Sequence, residues 1–306
     1  MEEISVPESL SGERIDRALS LIFDITRTEA IDLLLNGKVQ VSGKSKTPTK
    51  SYRLTAGEVI LIAELPSTND FVVLPRPDIP LDIVFHDEDI VVVNKAAHQV
   101  VHPGSGREDD TLVQALLARF PQISEVGEDP LRPGVVHRLD KGTSGVMVFA
   151  LSNLAYEKMK TDIASHRYRR IYLAMVEGLL DTNSAVVDAP IGRSDSQPRK
   201  MTLKSGGRRA ITRFEVLERF ERPRDATFVS VELETGRTHQ IRVHMASLGH
   251  PVLGDHLYGR PDDLLDRPFL HSSNLELAHP ITGEEMTFSA ALPKDLEIRL
   301  HQFRTA

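Results

Sequence analysis

The stretch His137-Arg138-Leu139-Asp140-Lys141-Gly142-Thr143-Ser144-Gly145 sets a carboxylate on a turn rich in glycine and hydroxyl residues. Val135-Val136 leads in and Val146-Met147-Val148-Phe149-Ala150 leads out, and both runs read as strands. A carboxylate held at such a corner can project into a cleft and serve there as a nucleophile or as a base. An Asp that merely caps its own turn has the same local sequence, so the turn alone leaves both readings open.

Composition narrows the other chemistries. The chain has no cysteine, which excludes disulfides, thiolate metal sites, iron–sulfur clusters and cysteine nucleophiles. Among the 12 histidines, neither His239 with His244 nor His250 with His256 has the i, i+4 spacing of a helical zinc pair, and no metal is expected. Gly104-Ser105-Gly106 is too short for a phosphate loop. Oxygen, nitrogen and imidazole groups remain.

The elements that must carry these groups fall into two parts. Residues 12–36 show helical spacing, with Ile15, Leu19 and Ile22 on one face and Ala30, Ile31 and Leu34 on a second, closed by Asn36-Gly37. Val39-Gln40-Val41 and Glu58-Val59-Ile60-Leu61-Ile62 read as strands, giving a small αα-then-β domain over residues 1–65. Pro66, Pro75, Pro77 and Pro80 suggest a stiff linker over 66–80. From 81 to 306, strands at Ile83–Phe85, Ile90–Val93, Ile171–Val176, Ala210–Val216 and Phe228–Leu233 alternate with helices at Thr111–Arg119 and Asn153–Ala164, without a regular βαβ repeat. The expected fold class is α+β, with a mixed, largely antiparallel sheet.

The net charge of -7 is unevenly spread. Residues 66–134 hold 12 acids against 5 bases, whereas Arg167 to Arg213 holds ten Lys/Arg against four acids, and Lys38 to Arg53 holds five against none. Basic strips inside an acidic total are the footprint a phosphate backbone requires. With 40% hydrophobic and 26% charged residues the composition is that of an ordinary globular protein, and no apolar run nears the roughly 20 residues of a membrane span. The acidic start Met1-Glu2-Glu3 is unlike a signal peptide, so a cytoplasmic location is expected.

Three segments, taken together, resemble the RluA-type pseudouridine synthases: Gly134 to Gly145, Tyr168-Arg169-Arg170-Ile171-Tyr172-Leu173-Ala174, and Thr235-Gly236-Arg237-Thr238-His239-Gln240-Ile241-Arg242-Val243-His244. Asn94-Lys95, His102-Pro103-Gly104, Ala189 to Arg193, Gly249-His250-Pro251, Gly254-Asp255 and Phe269-Leu270-His271 match as well, in family order. Arg14-Ile15-Asp16-Arg17-Ala18-Leu19 and Gly37-Lys38-Val39 resemble, more loosely, an S-four-like RNA-binding module; with this catalytic domain, that is similar to the branches acting on large-subunit ribosomal RNA.

The resemblance implies a pseudouridine synthase fold and isomerisation of uridine in RNA, ribosomal RNA above tRNA, by a cofactor-free monomer. It implies catalytic roles for Asp140, for Arg242 as its paired cation, and for Tyr172 against the target uracil. Arg138 matches the residue that handles RNA around the flipped nucleotide, although a plain turn arginine would look the same. His137 belongs with Arg138 as an RNA contact, and Lys38, Lys44, Lys46, Lys50 and Arg53 would meet phosphates. A non-catalytic RNA-binding or ribosome-assembly factor is the rival reading, and intact Asp140, Tyr172 and Arg242 argue against it. In one respect the chain departs from the family. Asn94-Lys95-Ala96-Ala97-His98 stands where Asn-Lys-Pro-Ala-Gly is usual, so a fixed proline φ and a permissive glycine are both lost.

Overall fold

Ile15, Ala18 and Leu19 recur at helical spacing and are fully buried, so the chain around them closes into a helix with one apolar face. In the computed structural model this is α1 (Ile15–Phe23), preceded by β1 (Glu2–Ser5) and followed by α2 (Arg27–Leu35), β2 (Val39–Val41) and β3 (Val59–Ile62). The structure describes residues 2–23, 25, 27–44, 47–63, 73–103, 110–197 and 200–306. Ala30, Leu33 and Leu34 of α2 share one core with Val39, Val41, Ile60 and Ile62. The three strands pair antiparallel in the order β1-β3-β2. β1 was not expected, because Glu2-Glu3-Ile4-Ser5 holds a single large apolar residue.

The chain divides into two compact units, residues 1–72 and 73–306. Of the proline-rich stretch 66–80, residues 66–72 lie outside the described residues. Residues 73–80 belong to the second unit: Val73 is buried, Arg76 donates its backbone N–H to Gln114 O at 2.9 Å, and Gln99 Nε2 reaches Pro80 O at 3.4 Å.

The second unit runs β4 (Ile83–His86), β5 (Ile90–Lys95), α3 (Leu112–Arg119), β6 (Ser144–Ala150), α4 (Asn153–Ala164), β7 (Arg169–Glu177), β8 (Ser184–Asp188), β9 (Ile191–Arg193), β10 (Met201–Leu203), β11 (Ile211–Phe220), β12 (Ala226–Leu233), α5 (Gln240–Ser247), β13 (Leu270–Ala278), β14 (Glu285–Ser289) and α6 (Lys294–Arg304). Its main sheet has the order β4-β5-β6-β13-β7-β12-β11-β8, with β14 also on β13. Every pairing is antiparallel except β6 with β13. The expected mixed, largely antiparallel sheet is therefore present.

The burial of β6 explains its place. All seven of its residues are buried, as a strand with neighbours on both edges and layers on both faces requires. Gly145, its second residue, has φ +118, and a Cβ there would come 2.1 Å from Ser272 O, so the close approach of β6 to β13 admits only glycine. Val135-Val136 is a correction to the sequence reading: Val135 makes one isolated bridge to Phe149, not a strand. Pro133 and the positive φ of Gly134 bend the backbone into a turn, and Val135 N–H bonds back to Arg132 O at 3.1 Å.

Candidate active site

Asp140 lies on the turn that enters β6, and that turn is braced from several sides. Thr143 N–H bonds to Asp140 O at 3.0 Å. Arg267 reaches Gly142 O at 3.3 Å and Ser144 Oγ at 3.2 Å while its guanidinium is held by Asp295 at 2.6 and 2.9 Å. His137 Nε2 accepts the Val148 backbone N–H at 3.1 Å. Burial, helped by the charge of Arg170, pushes that imidazole down to about 3, so it stays neutral, as an acceptor must. His137 thus braces the turn, while Arg138 is exposed at the mouth of the cleft.

A second brace comes from β5. Lys95 follows four buried aliphatics and is itself 1% exposed. Its Nζ donates to Ala96 O at 2.8 Å and Gln99 O at 2.9 Å and approaches Lys141 O at 3.5 Å. Burial pulls its pKa down to about 7; the nearby Asp140 opposes this and Arg267 adds to it. The loop after Lys95 keeps the backbone that a glycine would allow, because His98 adopts φ 65.

Arg242 comes from α5. This helix begins at Gln240, whose Oε1 accepts from Thr235 Oγ1 at 2.8 Å and Arg237 N–H at 3.0 Å, and whose Nε2 donates to Ile211 O and Thr212 Oγ1 on β11. The helix start is thereby fixed to the sheet. Arg242 donates Nη1 to Asp140 Oδ2 at 3.2 Å, and Nε and Nη2 to Asp255 at 2.6 and 2.9 Å. Burial alone would lower its pKa, but Asp255 and then Asp140 overcome that and hold it above the ordinary arginine value. Asp255 is fully buried and also accepts the N–H groups of Leu257 and Tyr258.

Tyr172 is on β7, paired with Ser272 of β13 and Val231 of β12. Burial pushes its hydroxyl above the usual phenol value; Arg170 and a hydrogen bond with Ser272 oppose this, and Asp140 adds to it. The phenol therefore stays protonated at neutral pH. Asp140, Tyr172 and Arg242 line one cleft of about 640 Å³. Its other charged lining residues are Arg132, Arg138, Lys160, Arg170 and Arg237, so Asp140 is the lone carboxylate among the described lining side chains. That is the field an RNA strand needs.

Several residues here escaped the sequence reading. Asp255 was seen only as half of a Gly-Asp pair, and nothing local announces its partner 13 positions back. His239 takes a left-handed φ of 56, with Nε2 3.8 Å from Asp140 Oδ2 and Nδ1 2.9 Å from Tyr258 Oη. Burial lowers its pKa, with Asp140 opposing. A lysine closing a run of buried valines was the available signal for Lys95.

In the first unit the expected RNA contacts are dispersed. Lys44 is exposed, 5.2 Å over the Tyr52 ring and 4.0 Å from Glu58. Arg53 is exposed and donates to Gly12 O at 2.6 Å, Lys50 is exposed, and Lys38 is half-buried. Lys46 lies outside the described residues.

Residues 89–247 match the family described as RNA pseudouridylate synthase. "Ribosomal large subunit pseudouridine synthase D" of Vibrio parahaemolyticus is 40% identical, over 95% of this chain and 91% of that one. "Uncharacterized RNA pseudouridine synthase YlyB" of Bacillus subtilis is 38% identical, over 99% and 98%. Among solved structures, "Human RNA Pseudouridylate Synthase Domain Containing 1" is similar with a TM-score of 0.56 and 28% identity, covering 74% of this chain and 96% of its own.

Proposed function

The chain belongs to the RNA pseudouridylate synthase family, and we propose that it isomerises uridines of large-subunit ribosomal RNA with Asp140 as the reacting carboxylate. One observation carries the reading: a carboxylate hydrogen-bonded to the guanidinium of Arg242 shares with the buried Tyr172 a cleft whose other charged lining side chains, among the described residues, are all cations. The names of the Vibrio and related proteins support ribosomal RNA over tRNA as the substrate.

The reaction sets the demands on these residues. A uridine stacked in RNA must be flipped out to be reached. Asp140 then attacks C1′ or takes a ribose proton, the N1–C1′ bond breaks, and the uracil turns so that a C5–C1′ bond forms. The C5 proton leaves and N1 gains one, so substrate and product are isomers and no cofactor or energy source is required. Tyr172 gives the uracil an aromatic face and a protonated hydroxyl, and Arg242 keeps the carboxylate aimed. Arg138 and the ring of basic residues hold the flanking phosphates.

Residues 1–65 act in this reading as an S-four-like RNA-binding domain, supported by the Lys38 to Arg53 strip, and the protein works as a cytoplasmic monomer. Among the described residues no helix is long and apolar enough to cross a membrane. Mapping pseudouridines in total RNA, with and without the gene, is the test. Unchanged ribosomal RNA with altered tRNA would move the substrate, and no change anywhere would remove the catalytic reading.

A further inference from the structure

A second cavity, of about 370 Å³, shares Arg138, Asp140, Thr143, His239 and Arg242 with the first but does not include Tyr172. The two therefore meet at the reacting carboxylate. Beyond Lys141 and Gly142 of the Asp140 turn itself, two loops supply the wall that is not shared, and both are tied to that turn. Lys95 fixes the first: the carbonyls of Ala96 and Gln99 that bracket His98 accept from its Nζ, which also approaches Lys141 O. Arg267 fixes the second through Gly142 O and Ser144 Oγ. Across the gap His98 Nε2 stands 3.3 Å from Asp266 Oδ1, with side chains 51% and 81% exposed, so both keep free polar surface.

We propose that this cavity receives the nucleotide next to the target uridine, and that His98 and Asp266 read its base. The inference rests on the reading of Asp140 as the group that isomerises uridine in RNA. RNA is continuous, so a ribose at Asp140 brings its neighbour's phosphate one backbone step away. Arg138 and Lys141, exposed and without an ion pair to any described residue, flank Asp140 in the sequence and meet that phosphate. A single-stranded base is read by stacking and by its edge. The His98 imidazole offers a flat ring, and the Asp266 carboxylate accepts from an exocyclic amine. Adenine, cytosine and guanine carry such an amine and uracil does not, so an amine-bearing neighbour is preferred. Because His98 already holds the left-handed backbone that suits glycine, it adds a side chain to the wall without moving the loop.

The test uses the full chain and a set of stem-loop RNAs in which each neighbour of one uridine is varied through the four bases, with tritium release from C5 as readout. The wild type should favour amine-bearing bases over uracil on one side by on the order of tenfold. His98→Gly, which keeps the backbone, and Asp266→Ala, which removes the acceptor, should each shrink that spread to within about threefold. A wild type blind to both neighbours would overturn the inference and leave the functional reading intact. So would variants that slow every RNA by one common factor, since the pair would then act on the position of Asp140 instead. Failure to isomerise any of the RNAs would sink both readings.

Discussion

Arg242 gives Asp255 two hydrogen bonds, at 2.6 and 2.9 Å, and gives Asp140 one, at 3.2 Å. The guanidinium is therefore anchored by the fully buried carboxylate and merely points at the reacting one. Removing it orphans Asp255 before it frees Asp140. Arg242→Met should lower stability by about 3 to 5 kcal/mol, the cost of breaking a buried pair from one side, as well as abolish turnover. Chemical denaturation and tritium release measure the two. A variant of normal stability would mean that Asp255 is satisfied by its backbone donors alone.

Asp140→Asn should separate the same two quantities. The amide keeps the shape of the side chain but cannot attack C1′ or accept a proton, so isomerisation should fall by at least about a thousandfold. Stability should stay within about 1 kcal/mol, since one long hydrogen bond from a half-buried group is lost. Affinity for RNA should hardly change, because phosphate contacts dominate it. Activity within tenfold of wild type would remove Asp140 from the chemistry.

Lys95 supplies a pH prediction. Its pKa is lowered to about 7 in the folded chain from 10.5, so between these values the unfolded chain binds more protons than the folded one. Stability therefore rises with pH from about 7 to 10.5 and is flat below 7 as far as this group is concerned. Lys95→Met should flatten that rise, measured as the difference between the two denaturation free energies across the window. Parallel profiles would show that the ammonium retains its proton through its carbonyl ligands.

The two-unit division gives a fourth. A chain beginning at Val73 should fold, and should isomerise uridine in a short stem-loop, whereas one beginning at Pro80 loses the Arg76 bond to Gln114 and the buried Val73. On long structured RNA the shorter chain should bind more weakly and with less salt dependence, each lost phosphate contact flattening the slope by roughly 0.7 to 0.9. Equal slopes for the full and shortened chains would mean that the basic strip is a solvated face.

The reacting turn was legible because glycine and hydroxyl residues between apolar runs leave a strong local trace, the helices at α1 and α4 because each buries one regularly spaced face, and α3 because its buried run is largely apolar and opens on the Thr111–Gln114 capping box. α5 was not. Gln240 through Met245 are all buried, so the polar residues that lock it to β11 and Asp255 erase the amphipathic pattern. β8, an edge strand, alternates exposed and half-buried, but Ala185-Val186-Val187 puts apolar residues on both faces and hides that alternation in the sequence. Asp255 and His239 matter through Arg242, Tyr258 and Asp140, which only the fold brings near, and Lys95, though its carbonyl partners Ala96 and Gln99 are local, reaches the Asp140 turn only through Lys141 O.

The sheet order also bears on how such a chain is born. β13 is the strand that joins β4-β5-β6 to β7-β12-β11-β8, and its residues 270–278 leave the ribosome after all of those strands. Until then β6, apolar on both faces, has one bare edge, a surface that invites pairing with another nascent chain. Half-sheets also await long-range closure, which is slow. A chain stopped before Leu270 should thus collect in the insoluble fraction instead of yielding a smaller enzyme, because β6, which follows the Asp140 turn, and β7, which carries Tyr172, are joined only through β13.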